Sequence, residues 1–259
     1  MSTSLRRGEG RVLRIGHRGA AALEPENTLR SFERAIELGV DFVELDVLDL
    51  SDGTLVLAHS DDLLEVSHGA AAGSVRRLGL AALREAAPEL PTLAEALAYF
   101  AGRRGAVGLH VDLKCGPRAP EVAEAMRRHD LVGQAFVTSP SLATLRRLRE
   151  SAPELPRGLG YPSDRLGLIR RGAVRPFVTP ALVGLGRALP YRLRRWLRRT
   201  GASVASLHHA VLSAAAVESC HAAGSAVFTW TVNEPALLER VVELGVDGVV
   251  TDDPRIFQG

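Results

Sequence analysis

Apolar positions along this chain fall into short runs, and longer segments with apolar side chains every three or four residues separate most of them. Eight runs are predicted to be β-strands, at residues 12–16, 42–47, 107–113, 135–138, 156–160, 204–207, 227–230 and 247–251. Intervening segments, such as the stripe of Leu29, Phe32 and Ile36, indicate helices. Strands that alternate with helices form parallel βαβ units, and eight of them predict an α/β fold, a TIM-like (β/α)8 barrel.

A ninth apolar run, residues 54–58, lies too close to the second strand for a helical crossover. Asp52 and Gly53 before it are a strong turn signal, so residues 41–59 are predicted to form a β-hairpin. The barrel is therefore expected to carry a short hairpin arm after its second strand. This arm would bring His59 back beside Glu44 and Asp46.

The length of 259 residues and the uniform composition favour a single barrel domain over residues 1–259. A doubly wound open sheet is the alternative, but no glycine-rich phosphate fingerprint follows the first strand. The few residues from Pro254 to Gly259 leave the eighth helix short or absent.

Composition narrows the setting and the partners. The net charge of +2, with no Lys/Arg run interleaved with aromatics, argues against nucleic acid. Two cysteines, Cys115 and Cys220, suit a reducing compartment. The first residues lack the apolar core of a signal peptide, and no apolar run reaches membrane-spanning length. We therefore expect a cytoplasmic protein, and nothing in the sequence indicates its oligomeric state.

Two acidic residues in the second strand are the first sign of chemistry. Glu44 and Asp46 are two positions apart, so both side chains point to one face of the strand. Two like charges on an apolar strand raise each other's energy unless a cation joins them, and a hard divalent ion bound by oxygens is the simplest remedy. An ordinary hairpin with solvated acids and a surface histidine is the alternative, equally favoured by this segment alone.

Polar residues recur wherever a predicted strand ends, which is where the reactive groups of such barrels lie. Asp112 supplies a third carboxylate, and Lys114 is the only lysine of the chain. Together with Arg18, Lys114 brings more positive charge than a metal site needs, so an anionic substrate such as a phosphate ester is expected. A local Asp112–Lys114 ion pair is the alternative. The strand-end set is His17, Arg18, Glu44, Asp46, Asp112, Lys114, Ser139, His208, His209, Trp230, Asn233 and Asp252.

An ordered series of motifs resembles the glycerophosphodiester phosphodiesterase family from about residue 14 to residue 256. The motifs are GHRG (16–19), PENT (25–28), ELD (44–46), TLVLAH ending at His59, DLK (112–114), WTVN (230–233) and GVDGVVTDDP (245–254). The resemblance implies a TIM-like barrel, one divalent cation (Ca²⁺ or Mg²⁺), and two histidines that act as acid and base.

The resemblance also implies roles for individual residues. These are His17 and His59 as the acid–base pair, Glu44, Asp46 and Asp112 as metal ligands, Arg18 and Lys114 on the phosphate, and Trp230 as a substrate-site aromatic. The chain departs from the family pattern in having Asp112 in place of Glu, Ser60 in place of Asp, and Glu65-Val66 in place of Arg-Thr. These departures concern the cation and the substrate contacts near the arm.

The function implied is hydrolysis of a small-molecule glycerophosphodiester to glycerol 3-phosphate and an alcohol. A lysophospholipase D-type activity on a lipid phosphodiester is one alternative, and an inactive phosphate-binding protein is another. The sequence does not decide which histidine is the acid, or whether a cyclic phosphate precedes hydrolysis. The basic amphipathic segment 180–200 would permit a weak peripheral membrane contact, although a helix packed on the barrel is favoured.

Overall fold

The computed structural model describes residues 5–7, 10–162 and 189–258. Within these residues, eight parallel strands follow one another around a single sheet. The sheet closes into a barrel because its first strand pairs with both the second and the last parallel strand. The strands, with the hairpin arm numbered β3, are β1 Leu13–Gly16, β2 Phe42–Asp49, β3 Leu55–Leu57, β4 Gly108–Leu113, β5 Ala135–Ser139, β6 Arg157–Tyr161, β7 Val204–His208, β8 Ala226–Trp230 and β9 Gly248–Thr251. The predicted TIM-type (β/α)8 barrel is thus confirmed.

The hairpin arm is also present. β3 runs antiparallel to β2, with Val47 opposite Leu57 and Asp49 opposite Leu55, and it pairs with no other strand in the described part of the chain. The backbone N–H of Ala58 donates to the carbonyl of Asp46 at 3.1 Å, so the chain leaves the arm at the carboxyl end of β2.

Helices surround the barrel. They are α1 Leu29–Glu37, α2 Leu63–Val66, α3 Leu80–Ala86, α4 Leu93–Ala101, α5 Ala119–Arg128, α6 Leu142–Ser151, α7 at residues 189–200, α8 Ala214–Ala222 and α9 Pro235–Glu243. A 3₁₀ turn, Pro254–Gln258, stands in the place of the eighth helix of the barrel, as the short tail predicts. Residues 163–188 lie outside the described residues, and they include most of the first half of the basic segment 180–200.

Local signals set where helices begin. Thr28 caps α1 by accepting from the backbone N–H of Ser31, and Thr92 forms a reciprocal capping box with Glu95 at the start of α4. These caps satisfy N–H groups that have no partner inside the helix. The cap at Thr28 matters for the site, because it anchors the turn that precedes it.

Aromatic side chains fill the inside of the barrel. Phe136 makes edge contacts with Phe42 and Phe228 at ring-centroid distances of 5.4 and 5.2 Å, and His110 stacks on it at 4.4 Å. All three phenylalanines are almost fully buried. This apolar layer lies below the polar strand ends and withholds water from that side, so charges placed above it interact more strongly than in bulk water.

No helix among the described residues is long and apolar enough to cross a membrane. The single-domain boundary at residues 1–259 stays a prediction.

Candidate active site

Three predicted acidic residues meet at the carboxyl ends of β2 and β4. The parallel register of β2 and β4 sets Asp46 directly opposite Asp112. Glu44 lies two residues before Asp46 on β2, so its side chain points to the same face of the strand. One carboxylate oxygen from each of the three lies within 4.8 Å of the others. Glu44 and Asp46 are only 4% and 1% exposed, so their charges have little contact with water.

Burial and mutual repulsion separate the ionisation of the two strand-β2 acids. Burial and the charge of Asp46 raise the pKa of Glu44 well above its usual value. Burial also opposes the ionisation of Asp46, but the charges of Lys114 and Arg18 outweigh it and lower its pKa. Asp46 therefore stays ionised, while Glu44 needs a further positive charge to become a stable carboxylate.

Two cations border the triad. Lys114 Nζ lies 3.0 Å from Asp46 Oδ1 and 2.5 Å from Asp112 Oδ2, and Arg18 Nε lies 3.1 Å from Asp46 Oδ2. Burial opposes the charge of Lys114, but Asp112 and Asp46 raise its pKa, so the ammonium is retained. In the structure this lysine contacts the acids; a contact with phosphate stays a prediction.

The turn before α1 holds residues whose roles sequence reasoning missed. Asn27, in the left-handed region at φ 58°, donates from Nδ2 to Asp46 Oδ2 at 3.1 Å and accepts from the Asp46 backbone N–H at 3.0 Å. Glu26 accepts from Arg18 Nη1 at 2.6 Å and lies 2.6 Å from His59 Nδ1. The PENT motif was the only signal for them, because it marked the turn without naming contacts.

The chain between β1 and this turn is constrained as well. Arg18 has a positive φ of 52°, uncommon for a residue with a side chain, and its N–H donates to Glu44 Oε2 at 2.9 Å. Gly19 follows at φ 91°, where an added Cβ would lie 2.3 Å from Ser31 Oγ. Glycine is required there so that the Arg18 backbone can reach Glu44.

His17 is held by a residue from the other end of the chain, which follows the neighbouring strand β9. Its Nδ1 lies 2.6 Å from Asp252 Oδ1, and Asn233 Nδ2 donates to the other Asp252 oxygen at 2.6 Å. Burial and the nearby Arg18 charge lower the pKa of His17, against the raising effect of Asp252. The sequence analysis placed Asp252 and Asn233 at strand ends but did not connect them with His17.

His59 lies between two carboxylates. Its Nδ1 is 2.6 Å from Glu26 Oε1 and its Nε2 is 3.3 Å from Glu65 Oε1, and the imidazole is 7% exposed. Burial disfavours the ionised form of Glu26, but the hydrogen bond from His59 and the charge of Arg18 lower its pKa to about 2. The hairpin arm thus brings His59 to the site, where it contacts Glu26.

Asp112 is supported from the inside of the barrel. Thr138 Oγ1 donates to Asp112 Oδ1 at 2.7 Å, and His110 Nε2 lies 2.8 Å from the same hydroxyl. Burial lowers the pKa of His110 to about 4, so the ring is neutral at physiological pH.

Other strand-end residues are used for packing or capping. Trp230 is half-buried and meets the edge of His208 at 5.0 Å, and His208 Nδ1 accepts from the backbone N–H of Ala210 at 3.1 Å. Ser139 Oγ accepts from Ser141 N at 3.3 Å. The structure does not bring these residues into contact with the acidic triad, and substrate contact by Trp230 stays a prediction.

The triad has the donor chemistry of a divalent cation site. Its ligands are carboxylate oxygens, which Ca²⁺ and Mg²⁺ prefer, and the buried Glu44 remains uncompensated by the two side-chain cations. Four carboxylates, counting Glu26, surround the two side-chain cations Arg18 and Lys114. The described residues therefore could hold a doubly charged ion with oxygen preference.

The fold and the location of this cluster define the class of protein: a TIM-barrel enzyme that works at the carboxyl ends of its strands. A model of the glycerophosphoryl diester phosphodiesterase family matches residues 17–256, so the chain belongs to that family and is a phosphoric diester hydrolase.

Relatives of known name or structure agree with this assignment. The chain is 28% identical to a glycerophosphodiester phosphodiesterase of Caldanaerobacter subterraneus, with 95% of this chain and 96% of the relative covered. A solved structure from Silicibacter pomeroyi is 27% identical with a TM-score of 0.78, covering 98% and 94% of the two chains. A phosphodiesterase of Oleispira antarctica, solved with the product sn-glycerol-3-phosphate, is 25% identical with a TM-score of 0.71, covering 95% and 94%.

Proposed function

We propose that this chain hydrolyses glycerophosphodiesters to glycerol 3-phosphate and an alcohol, with a divalent cation and with His17 and His59 as the proton-transfer groups. The observation that carries the proposal is the meeting of a carboxylate triad with two histidines, each held through Nδ1 by its own carboxylate. Both histidines lie close enough to Asp46 to lower its pKa. The product bound to the Oleispira antarctica relative supports glycerol 3-phosphate as the product here.

Glu44, Asp46 and Asp112 would hold the cation, Ca²⁺ or Mg²⁺. When bound, the ion would supply positive charge against the oxygens of a phosphodiester, which resists attack because it is itself anionic. Arg18 lies at the same edge and would add a fixed guanidinium charge. Lys114 would add a compact ammonium that can contact phosphate once a cation neutralises the acids it now touches.

The two histidines differ in the groups that surround them. His17 has a lowered pKa, so the neutral ring can accept a proton at Nε2 while Asp252 holds Nδ1. Both nitrogens of His59 face carboxylates, an arrangement that matches the two N–H donors of an imidazolium. We therefore assign His17 as the base and His59 as the acid that protonates the departing alcohol.

Turnover of a simple glycerophosphodiester before and after exhaustive chelation tests this proposal. We expect chelation to abolish turnover, Ca²⁺ or Mg²⁺ to restore it, and Glu44→Gln or Asp46→Asn to weaken cation binding measured by calorimetry. Glu85→Gln, an exposed acid on α3, is the matched control and should behave as wild type. Full activity with no metal in the sample would refute the cation, and tight cation binding without turnover of any diester would favour the binding-protein alternative.

An acylated substrate is a second candidate, favoured by one observation. A cavity of about 260 Å³ lies beside the turn that carries Glu26, and its lining is mainly apolar, including Pro25, Val66, Ala87 and Leu90. Such a lining suits a hydrocarbon chain. Comparing kcat/KM for a lysophospholipid and its deacylated diester decides between them: a preference for the lysolipid that Ala87→Glu removes would support a lysophospholipase D-type activity.

A further inference from the structure

We infer that Glu65 is a specificity-determining residue that favours diesters whose alcohol carries a positive charge, an amino alcohol. This inference rests on the proposed function, because it concerns the alcohol end of the same substrate. It starts from the carboxylate beside His59, which the reaction itself does not require.

The position of Glu65 relative to His59 is the central observation. Glu65 Oε1 lies 3.3 Å from His59 Nε2, while His59 Nδ1 is held by Glu26 at 2.6 Å. Nε2 is therefore the nitrogen left to serve the substrate. Any alcohol oxygen that receives a proton from Nε2 must lie next to the Glu65 carboxylate.

The segment that carries Glu65 is pinned. Asp62 caps α2 by accepting from the Leu64 backbone N–H at 3.0 Å. Asp61 Oδ1 accepts from Ser74 Oγ and from the Arg76 backbone N–H, both at 2.8 Å. The carboxylate is therefore presented from a fixed turn, and its side chain, 34% exposed, borders the solvent through which an alcohol would leave.

The charges of the site differ between its two ends. Arg18 and Lys114 lie at the phosphate end, against Asp46 and Asp112. Glu65 lies at the other end, beside the proposed acid. A glycerophosphodiester of an amino alcohol has the same polarity, with an anionic phosphate and an ammonium two carbons beyond the ester oxygen.

Substrate entry replaces one partner of Glu65. His59 Nε2 must turn its hydrogen bond from Glu65 to the ester oxygen, which leaves the carboxylate without that contact. An ammonium on the alcohol compensates for the loss, a neutral polyol does so only by hydrogen bonding, and an anionic alcohol is repelled. Because the carboxylate is partly exposed, the discrimination expected is modest, about three- to tenfold in kcat/KM.

The test compares kcat/KM for glycerophosphoethanolamine and glycerophosphoglycerol in wild type, Glu65→Gln and Glu65→Lys, with Glu85→Gln as the control. We expect wild type to prefer the ethanolamine ester, Glu65→Gln to lose about three- to tenfold of that ratio, and Glu65→Lys to reverse it. The control should keep the wild-type ratio. An unchanged ratio in Glu65→Gln, or an equal loss on both substrates, would overturn the inference, since the carboxylate would then serve only His59.

A binding measurement separates this inference from the proposed function. Calorimetric Kd values for the same two diesters, measured with His17→Ala and with His17→Ala/Glu65→Gln, should show the same loss of preference without turnover. If wild type hydrolyses neither diester, the proposed function fails, and the two Kd ratios still decide the role of Glu65. Equal ratios in both variants would refute it.

Discussion

The two histidines of the site are held in the same way by unrelated parts of the chain. His17 follows β1 and bonds to Asp252, 235 positions away, while His59 follows the hairpin arm and bonds to Glu26 in the turn before α1. In both cases a carboxylate oxygen lies 2.6 Å from Nδ1. This contact orients the ring, and in the proposed mechanism Nε2 is the nitrogen that transfers the proton.

What differs is the second neighbour of each ring. His17 adjoins the Arg18 cation, which together with burial lowers its pKa, whereas His59 has the Glu65 carboxylate at its other nitrogen. The two rings therefore stand in different electrostatic surroundings, and this difference is the reason why we propose opposite tasks for them. The hairpin arm and the helix α2 that follows it create this asymmetry, since His59 follows the arm and Glu65 lies on α2.

Removing either ring is expected to have the largest effect. His17→Ala and His59→Ala should each lower kcat by roughly 10²–10⁴-fold, the usual contribution of acid–base groups, with the fold intact. Single-turnover kinetics measures the loss of rate, and thermal unfolding shows whether the fold is intact. If either variant turned over like wild type at neutral pH, that histidine would have no part in proton transfer.

The next largest effect is expected at Lys114, whose ammonium contacts two of the three acids. We expect Lys114→Arg to lower kcat/KM by roughly 10²-fold, because a planar guanidinium cannot take the place of an ammonium that touches Asp46 and Asp112 at once. Steady-state kinetics on one diester is sufficient. Near wild-type efficiency would mean that the only lysine of the chain is incidental.

The carboxylates behind the rings sharpen the comparison. Glu26→Gln and Asp252→Asn should each lower kcat/KM by roughly 10–100-fold. The loss should be larger for Glu26→Gln, because Glu26 also holds Arg18 Nη1 at 2.6 Å. The second oxygen of Asp252, by contrast, accepts a hydrogen bond from the neutral amide of Asn233. Measured kcat/KM values for both variants decide the order. A larger loss in Asp252→Asn would contradict the expectation that Glu26 supports more of the site than Asp252 does.

The pH dependence of kcat/KM should report the ionisation of His17. A base must be neutral, and a pKa below the usual 6.5 keeps His17 neutral as the pH falls below that value. We therefore expect kcat/KM to persist below pH 6.5 and to decline only as the lowered pKa is passed. Asp252→Asn removes a contact that raises this pKa, so its acidic limb should move to lower pH still. An acidic limb centred above 6.5 would contradict the assignment of His17 as the base.

The smallest effect is expected for substitutions on the helix α7. Leu189, Leu193 and Leu197 of this helix are buried, which favours the packed helix over membrane contact, while its arginines are exposed. An Arg194/Arg195/Arg198 triple alanine variant should match wild type in turnover and show equally negligible sedimentation with anionic liposomes at low and physiological salt. Salt-sensitive binding by wild type that the variant loses would support a peripheral membrane contact through 180–200.

Much of the fold and the chemistry could be predicted because they depend on local patterns. Apolar runs and turn residues repeat within a few positions, so eight strands and the arm follow from the sequence. Parallel strands end at one face, so Glu44, Asp46, Asp112 and Lys114 could be grouped before any distance was known. The resemblance to a family added the pairing of His17 with His59.

Only the tertiary structure decided which groups support that chemistry. Asp252 reaches His17 because β9 closes the barrel beside β1, and Glu26 reaches His59 because the turn before α1 and the arm meet above β2. No periodicity encodes such contacts, since hydrogen bonds act over about 3 Å and join residues far apart in the chain. Local sequence determines which side chains stand at the strand ends, and closure of the barrel determines which of them touch.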